Sequence, residues 1–219
     1  MARGVRERMV ASAVNLLARR GLQATSFSEV LEHSGAPRGS VYHHFPEGKN
    51  QMIDSALDAA GATAIELLDR KAGAPAEEIA TWFLHIWREV LIRGKFEAGC
   101  AVLAVAVAAD SPERLDHTAR VFRGWRRRLT ELLVEGGLAP VDASRFAATL
   151  VAASEGAVVL ARAEQSLEPF DLVAEQLLEQ VRQLSSRGGG SDADRGAGKG
   201  GRGKAKPQRL SPNSGGSAR

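Results

Sequence analysis

The feature that most constrains this chain is a helix stop, a tight turn and a second helix start compressed into residues 26–45. Ser26 lies three residues ahead of Glu29, the S-x-x-E spacing in which hydroxyl and carboxylate satisfy each other's free backbone amides at a helix start. That spacing predicts a short helix from about Phe27 to Ser34. Gly35 is free to take the positive φ that ends a helix, and Pro37 brings a fixed φ suited to the first turn of the next. Two helices separated by so few residues form a helix-turn-helix. In the second of them Val41 and Phe45 are four apart and face inward together, toward Val30 and Leu31 and toward Leu16 and Leu17 of the helix before. Arg38, Gly39, Ser40, Tyr42, His43 and His44 are left facing out. That outward face is rich in hydrogen-bond donors, holds one fixed cation and has no acid. Such a helix end suits the DNA major groove, with some side chains on base edges and others on phosphate. The competing reading is an ordinary helical hairpin whose polar groups face water.

Charge is segregated along the chain in a way that agrees with the first reading. Residues 1–50 hold seven Lys/Arg and four Asp/Glu, residues 51–185 fourteen and twenty, and residues 186–219 eight and two. Basic ends thus flank an acidic middle, so nucleic acid meets the N-terminal part and the tail while the middle repels phosphate. The natural division is a DNA-binding domain over 1–50, a helical domain over 51–185 and a tail over 186–219. The tail is glycine, serine and basic residues with no hydrophobic period, a composition expected to be disordered. Gly196, Gly198 and Gly201 fit the spacing of a dinucleotide loop, but no strand precedes them and no amphipathic helix follows, so the match is coincidental. The single cysteine, Cys100, cannot form an internal disulfide and reads as a small buried residue in a reducing cytoplasm rather than a redox sensor. Charges recur through the first residues, so neither a signal peptide nor a membrane span is expected.

Between Lys49 and Ser185 the apolar spacing is helical throughout. A long helix is expected from Lys49 to about Lys71, before the breakers Gly73 and Pro75. Ile79, Trp82, Phe83, Ile86, Trp87 and Val90 recur at steps of three and four and mark an amphipathic helix. Cys100 to Ala109 alternates valine and alanine, but with no second strand to pair it, helix is the reading. Ser111 followed by Pro112 opens a helix lined on one side by Leu115, Ala119, Phe122, Trp125, Leu129 and Leu132. Its Arg123, Arg126, Arg127 and Arg128 read as a solvated or ion-paired face. From Ala143 to Ala161 nearly every face is apolar or small, which requires cover on more than one side. That helix and the one after it suggest a four-helix interface with the same pair from a second chain, formed by Phe146, Leu150, Ala153, Ala157, Val158, Val173, Leu177 and Val181. The alternative is that both complete a monomer core.

The run TSFSEVLEHSGAPRGSVYHHFPEGK resembles the DNA-binding end of the TetR/AcrR family of transcriptional repressors. The residues that carry the resemblance are Gly35, the G-S-V-Y-H-H-F run from Gly39 to Phe45, and Lys49. Three residues, Pro46, Glu47 and Gly48, separate Phe45 from Lys49 where many members have two. That spacing, with the F-x-x-G-C segment from Phe96 to Cys100, resembles the LmrA/YxaF-like branch. The resemblance implies an all-α chain with a three-helix reading head and a C-terminal bundle for ligand binding and dimerisation. It implies phosphate contact by Tyr42 and Lys49, and places Arg38, Ser40 and His43 near bases or backbone. With Ser26, Gly39 and His44 these make up the candidate DNA-contact set. It also implies a homodimer on a palindromic operator, released by a small apolar or drug-like effector. Trp82, Phe83, Trp87, Phe96, Phe122, Trp125 and Phe146 are the candidate lining of the effector cavity. No cofactor or metal is expected. Sequence motifs for di-iron carboxylates, a nucleophile elbow, a phosphate loop and CxxC are missing, so an enzyme is not expected. The remaining alternative is a low-specificity architectural DNA binder or helical interaction module without a ligand.

Overall fold

A computed structural model describes residues 4–193, with side chains described for 4–187. Among the described residues there are nine helices and no strand: α1 (Val5–Arg20), α2 (Phe27–Ser34), α3 (Ser40–His44), α4 (Lys49–Asp69), α5 (Ala76–Arg93), α6 (Ala101–Ala108), α7 (Pro112–Glu135), α8 (Pro140–Glu164) and α9 (Glu168–Ala193). The chain is all-α.

Local chemistry accounts for the first turn-and-helix unit. The Ser26 hydroxyl accepts the Glu29 amide at 3.3 Å and caps α2. The reciprocal half of the expected capping box is replaced, because the Glu29 carboxylate turns to the Arg20 guanidinium, with both oxygens at 3.1 Å. Gly35 has φ 64° and ψ 24°, the left-handed conformation that a side chain would strain. Pro37 opens a turn closed by the Ser40 amide donating to the Pro37 carbonyl at 2.9 Å, so α3 starts three residues later than Pro37 itself.

Two hydrophobic cores result. The first joins the reading head to the base of the molecule: Met9, Leu16 and Leu17 of α1, Val30, Val41 and Phe45 pack with Met52, Ile53 and Leu57 of α4. Phe45 is fully buried and stacks on Phe27 with ring centroids 6.5 Å apart. Truncating such a side chain costs about 3–5 kcal/mol. Val102 and Val105 of α6, together with Trp125 of α7, belong to this same core. The second core is formed by α5, α7, α8 and α9 around Leu129, Phe146, Leu150 and Phe170.

The link before α6 is an unusual reversal. Lys95 and Phe96 both have positive φ, 50° and 58°. The Gly99 amide donates to the Ala18 carbonyl at the end of α1 at 2.9 Å. Arg162 of α8 donates to the carbonyls of Phe96 at 3.3 Å and Glu97 at 3.0 Å, and Glu97 pairs with Arg19. A Cβ at residue 99 would come within 2.9 Å of the Arg162 guanidinium, so a side chain there would push that group aside. The F-x-x-G-C segment thus pins the end of α1 to α8. Cys100 then caps α6, its Sγ accepting the Leu103 amide at 3.3 Å.

The structure places the residues expected at the interface mainly inside the protomer. Phe146, Leu150, Ala157, Val158, Leu177 and Val181 are buried in the second core, and Ala153 and Val173 are half-buried against it. The outer surface of α8 and α9 instead carries Ala152, Gly156, Val159, Leu160, Ala163 and Leu172. By length and composition α8 is apolar enough to cross a membrane, a test that a core helix also passes, and half of that stretch is buried inside the fold. The arginine face of α7 is ion-paired: Arg123 with Asp116 at 3.5 Å, Arg127 with Glu131 at 3.7 Å, and Arg128 with Asp69 at 2.6 Å. Helix α9 runs on past Ser186 to Ala193, so the start of the expected tail is helical. Its glycine match and most of its basic residues lie outside the described residues.

Candidate nucleic-acid interface

Helix α3 and the turn before it display the outward face that the sequence predicts. Tyr42 is 77% exposed, although it is the only tyrosine in the chain and a large ring is normally covered. Arg38, Gly39 and His43 are exposed beside it, while Ser40 and His44 are half-buried. The His43 and His44 rings meet edge to face at 4.9 Å. Underneath, Val41 and Phe45 anchor the helix in the core, so a five-residue element is held by packing rather than by its own length. Ser26 is half-buried, spent on its cap and on a hydrogen bond with Ser28 at 2.9 Å. Lys49 is also half-buried, and its ammonium donates to the Leu22 carbonyl at 3.4 Å. Both stand at helix starts on the reading head, but their polar atoms already have partners within the chain.

Two clasps join the head to the bundle. His117 of α7 lies between two carboxylates of α4, with Nδ1 3.1 Å from Asp54 and Nε2 2.8 Å from Asp58. One turn earlier Arg114 donates to Asn50 at 2.7 Å and pairs with Asp110 at 2.8 Å. The second clasp is the α1 end held by the pinned reversal at residues 95–99. His117 and Arg114 thus tie α7 to the first turns of α4, the helix that follows α3.

Residues 10–56 match the family described as bacterial regulatory proteins, tetR family. Residues 75–176 match the transcriptional regulator LmrA/YxaF-like C-terminal domain. An HTH-type transcriptional regulator of Mycobacterium tuberculosis strain H37Rv is 38% identical over 181 residues, which cover 80% of this chain and 92% of that protein. The chain belongs to the TetR family. Its C-terminal part places it on the LmrA/YxaF-like branch. An HTH-type transcriptional repressor of Rhodococcus jostii is 39% identical over 114 residues, covering 51% of this chain and 52% of that protein. The crystal structure of the regulatory protein TetR from Rhodobacter sphaeroides shares the fold with a TM-score of 0.71 at 21% identity, covering 80% of this chain and 98% of that one. TetR-family regulators are soluble DNA-binding proteins that act as dimers.

Two cavities of this TetR-family fold lie among the described helices. The larger, about 1050 Å³, lies between α1, α4, α5 and the start of α6. Phe83, Trp87 and Trp125 line it, as do Val14, Ala59 and Thr63 of the head and its connecting helix. The smaller, about 540 Å³, lies between α6, α7 and α8 and is lined by Leu103, Phe122, Val151 and Glu155. The candidate effector residues thus divide. Phe83, Trp87 and Trp125 reach the larger cavity and Phe122 the smaller. Trp82 instead donates its indole N–H to the Leu67 carbonyl at 2.7 Å, Phe96 packs on the second core, and Phe146 fills it.

Three groups escape a reading based on aromatics: His117 with its two aspartates, and the buried pair Cys100 and Glu155. Glu155 was visible as the one acid inside the apolar stretch Ala143 to Ala161. Its carboxylate is buried, and the polar group facing it is the Cys100 thiol, a weak donor. Burial pushes its pKa up to about 7. Burial and the Glu155 charge together push the Cys100 thiol well above its ordinary range, which leaves it a protonated core residue.

Proposed function

We propose that this chain is a ligand-responsive repressor that binds a palindromic operator as a homodimer in the cytoplasm, and that a small apolar or drug-like molecule releases it. The observation that carries this reading is the continuous path from an exposed, acid-free α3 through α4 to cavity walls. The larger cavity has α1 and α4 on one side and α5 on the other. A ligand lodged there bears directly on the helices that hold the reading head, and it shifts the population toward whichever head spacing it fits better. Arg38, Ser40, Tyr42 and His43 read or hold the operator, with Gly39 allowing close approach and His44, Lys49 and Ser26 supporting the edge of the contact.

The dimer face is the outer stripe of α8, Ala152, Gly156, Val159, Leu160 and Ala163, with Leu172 of α9. These positions recur at steps of three and four and leave apolar side chains in water unless a second chain covers them. A two-fold dimer sets two reading helices about 34–36 Å apart, or a multiple of that, which matches a palindrome. Repression also agrees with the Rhodococcus jostii relative, which is a transcriptional repressor.

The test is selection of double-stranded DNA by the full chain at about 0.15 M salt, where non-specific attraction is partly screened. Recovery of one palindrome supports the reading. Binding to all duplexes with a steep loss of affinity in salt, and no preferred sequence, would instead establish the architectural alternative.

A further inference from the structure

We propose that the larger cavity, between α1, α4, α5 and the start of α6, selects an uncharged ring system bearing a hydrogen-bond acceptor such as a ketone, with the Trp87 indole N–H as the donor that orients it and a mouth of carboxylates that turns acids away. The inference deepens the effector reading above and rests on it for the consequence at DNA, but not for the binding itself.

Apolar walls set the body of the ligand: Phe83, Ile86, Trp87 and Val90 of α5, with Val14 of α1 and Ala59 of α4, line a volume of about 1050 Å³. In so apolar a lining, specificity falls to the few polar groups not already in use. Most are in use. The Trp125 indole N–H donates to the Gly61 carbonyl at 3.2 Å, and Arg6 donates to the Ser55 hydroxyl at 2.9 Å with its guanidinium over the Phe45 ring. The Cys100 Sγ accepts the Leu103 amide, and Asp58 holds His117. Trp87 differs. Two of the three tryptophans give their indole N–H to backbone carbonyls, whereas that of Trp87 has no partner among the described residues, yet it is not sealed from solvent. Trp87 is half-buried and packs against both cores, so the edge it leaves open lies on the cavity whose walls belong to both. A purely apolar ligand there would strip this N–H of water and leave it unpaired; a ligand with an acceptor satisfies it. On the α1 wall the Asn15 amide, also half-buried and without a partner among the described residues, has room for a second polar group of either kind. The exposed part of the lining adds the charge preference. Glu7, Asp58 and Glu66 stand there against the guanidinium of Arg6, so an anionic ligand approaches a surplus of negative charge.

Three probes of one shape test this on the full chain by equilibrium dialysis: 2-acetylnaphthalene, its alkene isostere 2-isopropenylnaphthalene, and 2-naphthoate, at about pH 7.5 where the acid is ionised. Trp87→Phe keeps a ring in the wall and deletes the donor. It is expected to lower the ratio of ketone to alkene affinity about three- to tenfold, the worth of one hydrogen bond. Equal losses for ketone and alkene would overturn the orienting role, since a packing defect weakens the two alike, and so would a ratio that stays where it was. Without any variant, the wild type is expected to bind naphthoate roughly tenfold or more weakly than the ketone; naphthoate bound as tightly as the ketone, or no measurable binding of the ketone, would overturn the proposal. Glu66→Gln, at an exposed position that leaves both cores alone, is expected to strengthen naphthoate binding about two- to threefold and to leave the ketone unchanged. A gain for both probes alike would remove the charge preference. Ketone binding that follows this pattern but leaves operator affinity unchanged supports the site and counts only against the effector reading.

Discussion

At the level of single residues, exposure separates groups that fold the chain from groups that meet a partner. Tyr42 contributes nothing to the core, so Tyr42→Phe leaves stability within about 0.5 kcal/mol of wild type. It is expected to weaken binding to every duplex alike through one lost phosphate bond, whereas His43→Ala also relaxes preference at particular base pairs, by about 1–3 kcal/mol each. Competition binding against a panel of operator variants checks both; equal losses on all sequences for both changes would remove His43 from base reading. Glu155 presents the opposite case, a group buried at a cost. Its folded pKa of about 7 lies above the ordinary 4.5, so the folded state holds the proton more tightly. The favourable effect of that proton is complete below about pH 4.5 and is lost as pH rises through 7. Glu155→Gln is therefore expected to gain on wild type between those limits, by at most roughly 3 kcal/mol at about pH 8. Urea unfolding at the two pH values measures it, and parallel curves for both proteins would contradict the burial argument.

At the level of elements, most boundaries were legible because they rest on local chemistry. The Ser26 hydroxyl, the left-handed Gly35 and the Ser111-Pro112 opening each act within one turn of chain, and α2 and α7 begin where those residues put them. Tertiary partners were not legible. The apolar run of α8 announced a helix covered on several sides, but which stripe its neighbours cover depends on how α7 and α9 pack, and the expected interface residues turned out to be core. The same limit applied to the aromatics: Trp82 spends its indole on Leu67, and cavity walls are formed largely by small residues of α1 and α4 that carry no compositional signal. His117 illustrates a long-range clasp, joining residues about sixty apart in sequence. His117→Ala is expected to leave both cores intact but to release the first turns of α4 from α7. Hydrogen exchange is expected to quicken at the amides of residues 52–58 by roughly three- to thirtyfold, as a lost pair of charge-assisted hydrogen bonds would allow. Unchanged protection there would mean that core packing alone couples the two helices.

For the whole molecule, the question is how a five-residue reading helix obtains useful affinity. One head offers a handful of contacts, and rigid linkage of two heads makes the second contact effectively intramolecular. The proposed linkage is the outer stripe of α8, where Val159 and Leu160 are each 50% exposed and Leu172 is 61% exposed. Leu160 points away from both cores, so Leu160→Glu changes the interface without touching the protomer's interior. A carboxylate placed on a two-fold face meets its own copy, adding like-charge repulsion to the loss of apolar burial. The expected result is a folded monomer, with helicity by circular dichroism unchanged and half the mass by light scattering. Operator affinity is expected to fall at least about a hundredfold, while binding to a single half-site changes little. A variant that stays dimeric would move the interface to another surface, and a monomer that keeps full affinity for the palindrome would show that head spacing is not set by α8.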